Sequence, residues 1–367
     1  MRIFLVGGGS GGATAPLLAV AEAVARLRPN AQFFLIGTRK GLETRLLAAE
    51  TIPMQYLSIP AGKFRRYFSL KNLSDILKIL AGFIKSFFLI KKYHPDIVFG
   101  AGSYVQVPLC WAAYFLGIPV VIHQQDRQLL LSTRLTAPAA EAVTMSFMQN
   151  KELPTFSGLF SKIPKSKLVL TGNPARADLR RGSSEEAVKI FGLNTNYPTI
   201  LVMGGSQGSA KINRTVLEAL SELVRYVQVI HVTGPLKKKT KLVAVPNYHA
   251  YDFLGPELKH AYAAADLVVA RGGMSTITEL SFLRKAAILV PLPKSPQEQN
   301  VEILTFLKSA VGVSEDFFTP DLLVKLVRKI LWNREIQEAL KKNVSQIMPQ
   351  NASEQIAKLI IKICAPK

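Results

Sequence analysis
The stretch Arg271-Gly272-Gly273-Met274-Ser275-Thr276-Ile277-Thr278-Glu279 follows a short apolar run and joins a glycine turn to a carboxylate. A glycine turn ahead of a helix lets a ligand approach the backbone. The helix start then aims N–H groups and the positive end of its dipole at that ligand, which suits a phosphate or diphosphate. In this setting the N–H groups of residues 274–276 would hold a diphosphate, and Glu279 would accept hydrogen bonds from two ribose hydroxyls. A structural reading competes: Thr276-Ile277-Thr278-Glu279 has the form of a capping box, with Thr at the cap and Glu reaching back to it. One carboxylate has limited acceptor capacity, so the two readings are partly exclusive.

Two more turns of this kind occur, Gly7-Gly8-Gly9-Ser10-Gly11-Gly12 and Gly204-Gly205-Ser206-Gln207-Gly208. The first satisfies G-x-G-x-x-G, so a dinucleotide site comes under consideration. That site needs an acid at the end of the second strand, where this chain reads Gly37-Thr38-Arg39-Lys40. The missing acid argues against NAD. It leaves an NADP site with Arg39 on the extra phosphate, or a tight turn with no ligand. Gln297-Glu298-Gln299-Asn300 follows a proline-rich loop beyond a strand's carboxyl end, where ligands of open α/β sheets bind; it equally suits the start of a helix. No D-x-D, H-E-x-x-H or G-K-[ST] motif occurs, so neither a metal-bound sugar nucleotide nor a P-loop is expected, and no metal or cofactor is assigned. Cys110 and Cys364 lack metal-ligand spacing and are too few for a disulfide framework, which favours a reducing compartment.

Apolar runs at residues 3–6, 32–36, 97–99, 120–122, 199–203, 227–232, 267–270 and 287–290 alternate with helical patterns. Near-continuous apolar strands between helices predict parallel sheets covered on both faces. A length of 367 residues suits two such domains. Residues 150–167, with Pro154, Gly158 and Pro164, break the alternation and place the boundary: 1–160 for the first domain and 165–344 for the second. A last helix, with Ile356, Leu359, Ile360 and Ile363 on one side, would return residues 345–367 to the first domain. Lys and Arg total 46 against 25 acids, a formal charge of +21, so the partner is anionic: nucleic acid, anionic lipid or a diphosphate. No nucleic-acid motif accompanies the charge.

Residues 62–92 interleave Lys63, Arg65, Arg66, Lys71, Lys78, Lys85, Lys91 and Lys92 with apolar and aromatic side chains. Residues 73, 76, 77, 80, 83, 84 and 87 follow helical spacing, which suits either a core face or an interfacial membrane contact. The most membrane-like part, Ile76 to Ile90, is interrupted by Lys78 and Lys85 and is too short to span a bilayer. The opening Met1-Arg2-Ile3-Phe4-Leu5-Val6 reads as a first strand rather than a signal peptide, so the chain is expected in the cytosol, with at most a surface attachment to a membrane.

In combination these residues resemble the MurG family. The likeness rests on the turn at residues 7–12 with Pro16 behind it, Gly100-Ala101-Gly102-Ser103-Tyr104, His123-Gln124-Gln125-Asp126, Thr171-Gly172-Asn173-Pro174-Ala175-Arg176, Gly204-Gly205-Ser206-Gln207-Gly208, residues 271–279, and Gln297 with Asn300. That family transfers N-acetylglucosamine from UDP-GlcNAc to the undecaprenyl-diphosphate-linked muramyl peptide in peptidoglycan synthesis, and so serves cell-wall growth, shape and division. The resemblance implies the GT-B fold, two Rossmann-like doubly wound parallel-sheet domains around a central cleft, and metal-independent chemistry. It implies that Ser206, Arg176, Leu254 and Met274, Ser275, Thr276, Ile277, Thr278 and Glu279 hold UDP, with Gln297 near the sugar. It places Ser10, Gly11 and Gly12 on the sugar and acceptor side, and residues 62–92 against the anionic cytoplasmic face of the membrane, as a peripheral attachment.

The chain departs from the family pattern at Ala13, where a histidine is usual, and at Gln124 and Asp126, where His-Glu-Gln-Asn is usual. An inverting transfer needs a group to take the acceptor hydroxyl's proton. Asp126, also an acceptor-side binding residue, is the expected base and His123 the alternative; an Asp capping the following helix is the structural reading. Three other functions stay open: a UDP-GlcNAc 2-epimerase, a silent UDP-GlcNAc-binding scaffold for wall-synthesis proteins, and an NADP oxidoreductase.

Overall fold
The computed structural model describes residues 1–8, 11–39, 47, 52–62, 71–147, 163–205, 207–234 and 245–365, with backbone alone at 11 and 71–74. The chain divides into two compact units, Met1–Arg176 with Asn351–Lys367, and Ala177–Gln350.

The first unit is a sheet of β1 (Arg2–Val6), β2 (Gln32–Gly37), β3 (Met54–Ser58), β4 (Ile97–Gly100), β5 (Val120–Gln124), β6 (Ala142–Met145) and β7 (Leu168–Leu170), in the order β3-β2-β1-β4-β5-β6-β7. Every neighbouring pair is parallel. Its helices are α1 (Gly11–Leu27), α2 (Lys71–Tyr93), α3 (Gln106–Phe115) and α4 (Leu131–Thr136). Successive side chains of a strand point to opposite faces. Ile3 and Leu5 of β1 pack with Leu17, Val20 and Val24 of α1, whereas Phe4 and Val6 pack with Ile90 of α2 and Leu109 and Ala112 of α3. Helices cover both faces, so the strand is apolar at every inner position.

The second unit repeats this plan with β8 (Thr199–Met203), β9 (Gln228–Val232), β10 (Tyr248–Tyr251), β11 (Leu267–Ala270), β12 (Ala287–Leu289) and β13 (Val311–Gly312), in the parallel order β10-β9-β8-β11-β12-β13. Its helices are α5 (Ser184–Phe191), α6 (Ala210–Leu223), α7 (Leu258–Ala264), α8 (Met274–Leu283), α9 (Gln297–Phe306), α10 (Pro320–Leu331) and α11 (Arg334–Val344). Ile200 and Val202 share a core with Ile212 and Val216 of α6 and Val327 and Ile330 of α10. A final helix, α12 (Ala352–Ile363), belongs to the first unit, where Ile356, Ala357 and Ile360 join the α1 side of the core.

The boundaries differ from those read in the sequence. Val143 pairs with Leu168, so β7 extends the first sheet and that unit runs on to Arg176; residues 345–350 stay with the second unit. In each sheet the strand order reverses at the centre, between β1 and β4 and between β8 and β11. Connections leave a reversal point in opposite directions, opening a crevice beyond the carboxyl ends of the two central strands. All the glycine-rich turns leave these four strands.

Candidate functional site
In the second unit the turn after β8 needs its glycines for two separate reasons. Gly205 and Gly208 have φ of 85° and 73°, the left-handed region, and a Cβ on Gly204 would stand 2.2 Å from the Ser209 N. Gly208 also packs on Gly234, where a Cβ would meet the Gly208 backbone at 2.4 Å. The Asn213 amide holds this second loop by donating to the Thr233 carbonyl at 2.9 Å. Asn213 is set in turn by His231 Nε2 at 3.1 Å, and His231 Nδ1 meets the Tyr248 hydroxyl at 2.9 Å. Burial pushes the His231 pKa down to about 4, so the ring is a neutral strut. Ser209 caps α6 by accepting from the Ile212 N–H. Ser206 lies outside the described residues.

The turn after β11 is different. Gly272 is closed in, with a Cβ 2.3 Å from Val301 Cγ2, whereas the nearest atom to a Cβ on Gly273 is Gln297 Nε2 at 3.9 Å. Helix α8 begins at Met274, and its N-cap, Gly273, offers no side chain to the first-turn N–H groups. Thr276 is therefore inside the helix, and the capping box expected at residues 276–279 does not form. Met274, Ile277 and Thr278 turn inward, and the Thr278 hydroxyl donates back to the Met274 carbonyl at 2.6 Å. These three side chains are removed from the expected ligand set. Ser275, Thr276 and Glu279 are partly exposed and share one face through their i, i+3 and i, i+4 spacing. The Tyr262 hydroxyl of α7 donates to Glu279 Oε2 at 2.7 Å.

The spacing of Gln297 and Asn300 acquires a physical meaning here. Both lie on the first turn of α9; Asn300 is buried and its amide reaches the Gly272 carbonyl at 3.4 Å. Gln297 Oε1 accepts from the Leu292 N–H at 3.0 Å, which turns its amide nitrogen toward Gly273. Arg271 secures the same loop, donating to the Val290 and Pro291 carbonyls while pairing with Glu315. The Leu254 side chain is buried, so only its backbone can meet a ligand.

In the first unit the turn after β1 runs into α1 at Gly11 and Gly12. A Cβ on Gly7 would stand 2.7 Å from Leu17 Cδ1, and Ala13 is buried. Ser10 lies outside the described residues. Buried amides organise the facing loops. Gln106 Oε1 accepts from the Gly102 N–H at 2.8 Å, and Gln125 donates to the Ala101 carbonyl at 2.6 Å. Gln124 donates to the Asp126 and Gln128 carbonyls at 2.7 and 2.8 Å and accepts from the Thr133 hydroxyl at 2.6 Å. Asp126 is half-buried in the turn beyond β5, and α4 starts only at Leu131 with Leu130 as N-cap, so Asp126 is no helix cap. His123 is wholly buried between Thr144, 2.8 Å from Nδ1, and Asn173, 2.7 Å from Nε2, and burial lowers its pKa to about 4. It presents no nitrogen to solvent, which takes it out of contention as the base. Arg176 is partly exposed.

Helix α2 buries Asp75, Gly82, Ser86 and Ile90, while Ile76, Leu77, Leu80, Ile84 and Phe88 are exposed, each half or more. Of the expected stripe, only Phe83 and Phe87 are partly buried, and the side chain at 73 and residues 63–70 are outside the described set. Phe83 meets Phe115 edge-on at 6.0 Å, and exposed Tyr114, Leu131 and Leu135 continue the apolar surface. Among the described residues no helix is long and apolar enough to cross a membrane, and no group of three or more His, Cys, Asp or Glu could hold a metal.

The family models for the glycosyltransferase family 28 N-terminal and C-terminal domains match residues 3–145 and 199–360. A Clostridium kluyveri protein named "UDP-N-acetylglucosamine--N-acetylmuramyl-(pentapeptide) pyrophosphoryl-undecaprenol N-acetylglucosamine transferase" is 34% identical over 333 residues, covering 90% of this chain and 91% of its own. The crystal structure of Acinetobacter baumannii MurG is 25% identical with a TM-score of 0.71, covering 98% of this chain and 99% of that one. UDP-GlcNAc 2-epimerase from Neisseria meningitidis, bound to UDP-GlcNAc, is 17% identical with a TM-score of 0.68 over 99% and 100% of the two chains, a likeness of fold alone. Both domains match one family model pair and the sequence relationship runs through nearly the whole length, so the chain belongs to the MurG family of GT-B glycosyltransferases.

Proposed function
We propose that this protein is an inverting hexosyltransferase that moves N-acetylglucosamine from UDP-GlcNAc to an undecaprenyl-diphosphate-linked muramyl peptide in peptidoglycan synthesis. The observation that carries the donor half is the start of α8. An N-cap without a side chain, the accessible Gly273, the Gln297 amide turned toward it and the Glu279 carboxylate one turn on form a face suited to a nucleoside diphosphate sugar. In this reading the first-turn N–H groups and Arg176 take the charge that builds on the leaving UDP. Glu279 accepts from the ribose hydroxyls, and Gln297 donates to the sugar. The acceptor hydroxyl attacks the anomeric carbon while Asp126 takes its proton. Ser206, Gly12 and Ser10 follow from the family's motifs.

The exposed apolar face of α2 and its continuation through Phe115, with Lys78, Lys85 and Lys91 also exposed, supports a peripheral location on an anionic membrane carrying the acceptor. A second reading rests on Ala13: with no titratable group there, the chain would bind UDP-GlcNAc and act as a silent partner of other wall-synthesis proteins. Incubation with labelled UDP-GlcNAc and a lipid-linked muramyl peptide analogue, with and without EDTA, tests the proposal. Transfer that survives EDTA supports it, binding without transfer favours the silent reading, and epimerised UDP-sugar without acceptor points to an epimerase.

A further inference from the structure
We infer that Tyr262 is a positioning residue for the donor site, holding Glu279 in the orientation that reads the ribose of the nucleotide. The inference rests on the reading that Glu279 accepts the ribose hydroxyls. Tyr262 lies on α7, which precedes β11, and Glu279 on α8, which follows it, so one hydrogen bond ties the two helices flanking a central strand. Tyr262 is 0% exposed and among the largest fully buried side chains of the protein. A buried phenol needs an acceptor, and a carboxylate is the strongest available. The contact at 2.7 Å to Oε2 fixes the rotation of a side chain that is otherwise partly exposed.

A carboxylate offers about four lone-pair sites, so accepting from Tyr262 is compatible with accepting from two vicinal hydroxyls as well. Glu carries considerable rotamer freedom, and freezing it before the ligand arrives removes a cost of roughly three- to tenfold in affinity. The helix supports this division of labour: Ser281, like Thr278, is buried, so Glu279 is the carboxylate that α8 presents beside Ser275 and Thr276.

The test is calorimetric titration of UDP and 2′-deoxy-UDP into the full chain, its Tyr262→Phe and Glu279→Ala variants, and the double variant, with thermal melts alongside. Tyr262→Phe keeps the ring packing and removes only the hydroxyl. The wild type should prefer UDP by roughly tenfold or more, the scale of one hydrogen bond to a charged group. Tyr262→Phe should shrink that preference by roughly threefold or more, and in the Glu279→Ala background it should change nothing further. An unchanged preference in Tyr262→Phe, with only a lower melting temperature, would make Tyr262 a packing residue and overturn the inference. A wild type that does not distinguish the two nucleotides would instead overturn the ribose reading of Glu279, and the inference with it.

Discussion
His123 Nε2 and Asn173 Oδ1 lie 2.7 Å apart, joining the end of β5 to the segment that follows β7. On the other side of the ring Nδ1 lies 2.8 Å from the Thr144 hydroxyl, which also donates to the Ile122 carbonyl at 3.3 Å. Both nitrogens of the ring are thus engaged, Nε2 with the segment that leads to Arg176 and Nδ1 with β6. The family's histidine and its Thr-Gly-Asn-Pro run meet in one buried contact.

That arrangement makes stability depend on pH. His123 and His231 have folded pKa values lowered to about 4 against an ordinary 6.5. Between these values the unfolded chain binds protons that the folded chain does not, so stability falls as pH drops from 6.5 toward 4 and is unaffected by these groups above it. The slope should approach about 1.4 kcal/mol per pH unit for each histidine. Urea unfolding at pH 7 and pH 5 measures it, and equal midpoints would contradict the buried neutral rings.

Catalysis should separate Asp126 from His123. Asp126→Asn keeps shape but removes the basic oxygen, so kcat should fall about 10²–10⁴-fold with UDP affinity unchanged. His123→Ala should act through the fold, because it empties a wholly buried ring position and removes the contacts that ring makes with Thr144 and Asn173. Steady-state kinetics with melting curves distinguish the two, and full turnover in Asp126→Asn would move the base elsewhere.

Glu279→Gln should weaken UDP binding by about 1.5–3 kcal/mol, the scale of a hydrogen bond to a charged group. The amide keeps one oxygen for the Tyr262 hydroxyl, and no helix cap depends on this residue, so the melting temperature should hold. Calorimetry reads the affinity; a variant that binds UDP as tightly as the wild type would exclude the ribose contact.

Gln124→Glu restores the family's usual residue yet should destabilise this chain by about 1–3 kcal/mol. The amide that donates to the Asp126 and Gln128 carbonyls would become a carboxylate oxygen facing two carbonyl oxygens. Denaturant titration decides this, with a gain in stability as the contrary result.

Flotation with phosphatidylglycerol vesicles should bring the protein to the lipid layer at low salt and release it at high salt, since each basic residue near the surface contributes roughly 1 kcal/mol. Leu80→Glu and Ile84→Glu lie on exposed positions and should abolish flotation without lowering the melting temperature. Binding that ignored salt and both substitutions would place the contact elsewhere.

The alternation of elements and the glycine turns can be read from the residues alone, because both are local. A run such as residues 199–203 is apolar at every position, and glycines at 205 and 208 are demanded by backbone angles that other residues avoid. Local reading missed β3, β7, β10 and β13, whose half-exposed residues carry a weak pattern, and the four-residue buried β6, and with β6 and β7 unread it set the domain boundary too early. Tertiary structure decided what periodicity cannot: which face of α2 is inward. Spacing marks an apolar stripe, but packing against α3 and against the loop at residues 60–62, where Gly82 and Asp75 make the close approach, turns most of that stripe outward. It likewise converted His123 from a candidate base into a strut, since partners 21 and 50 residues away saturate it. The same holds for Glu279, whose buried partner on the preceding helix leaves no trace in the spacing of its own motif.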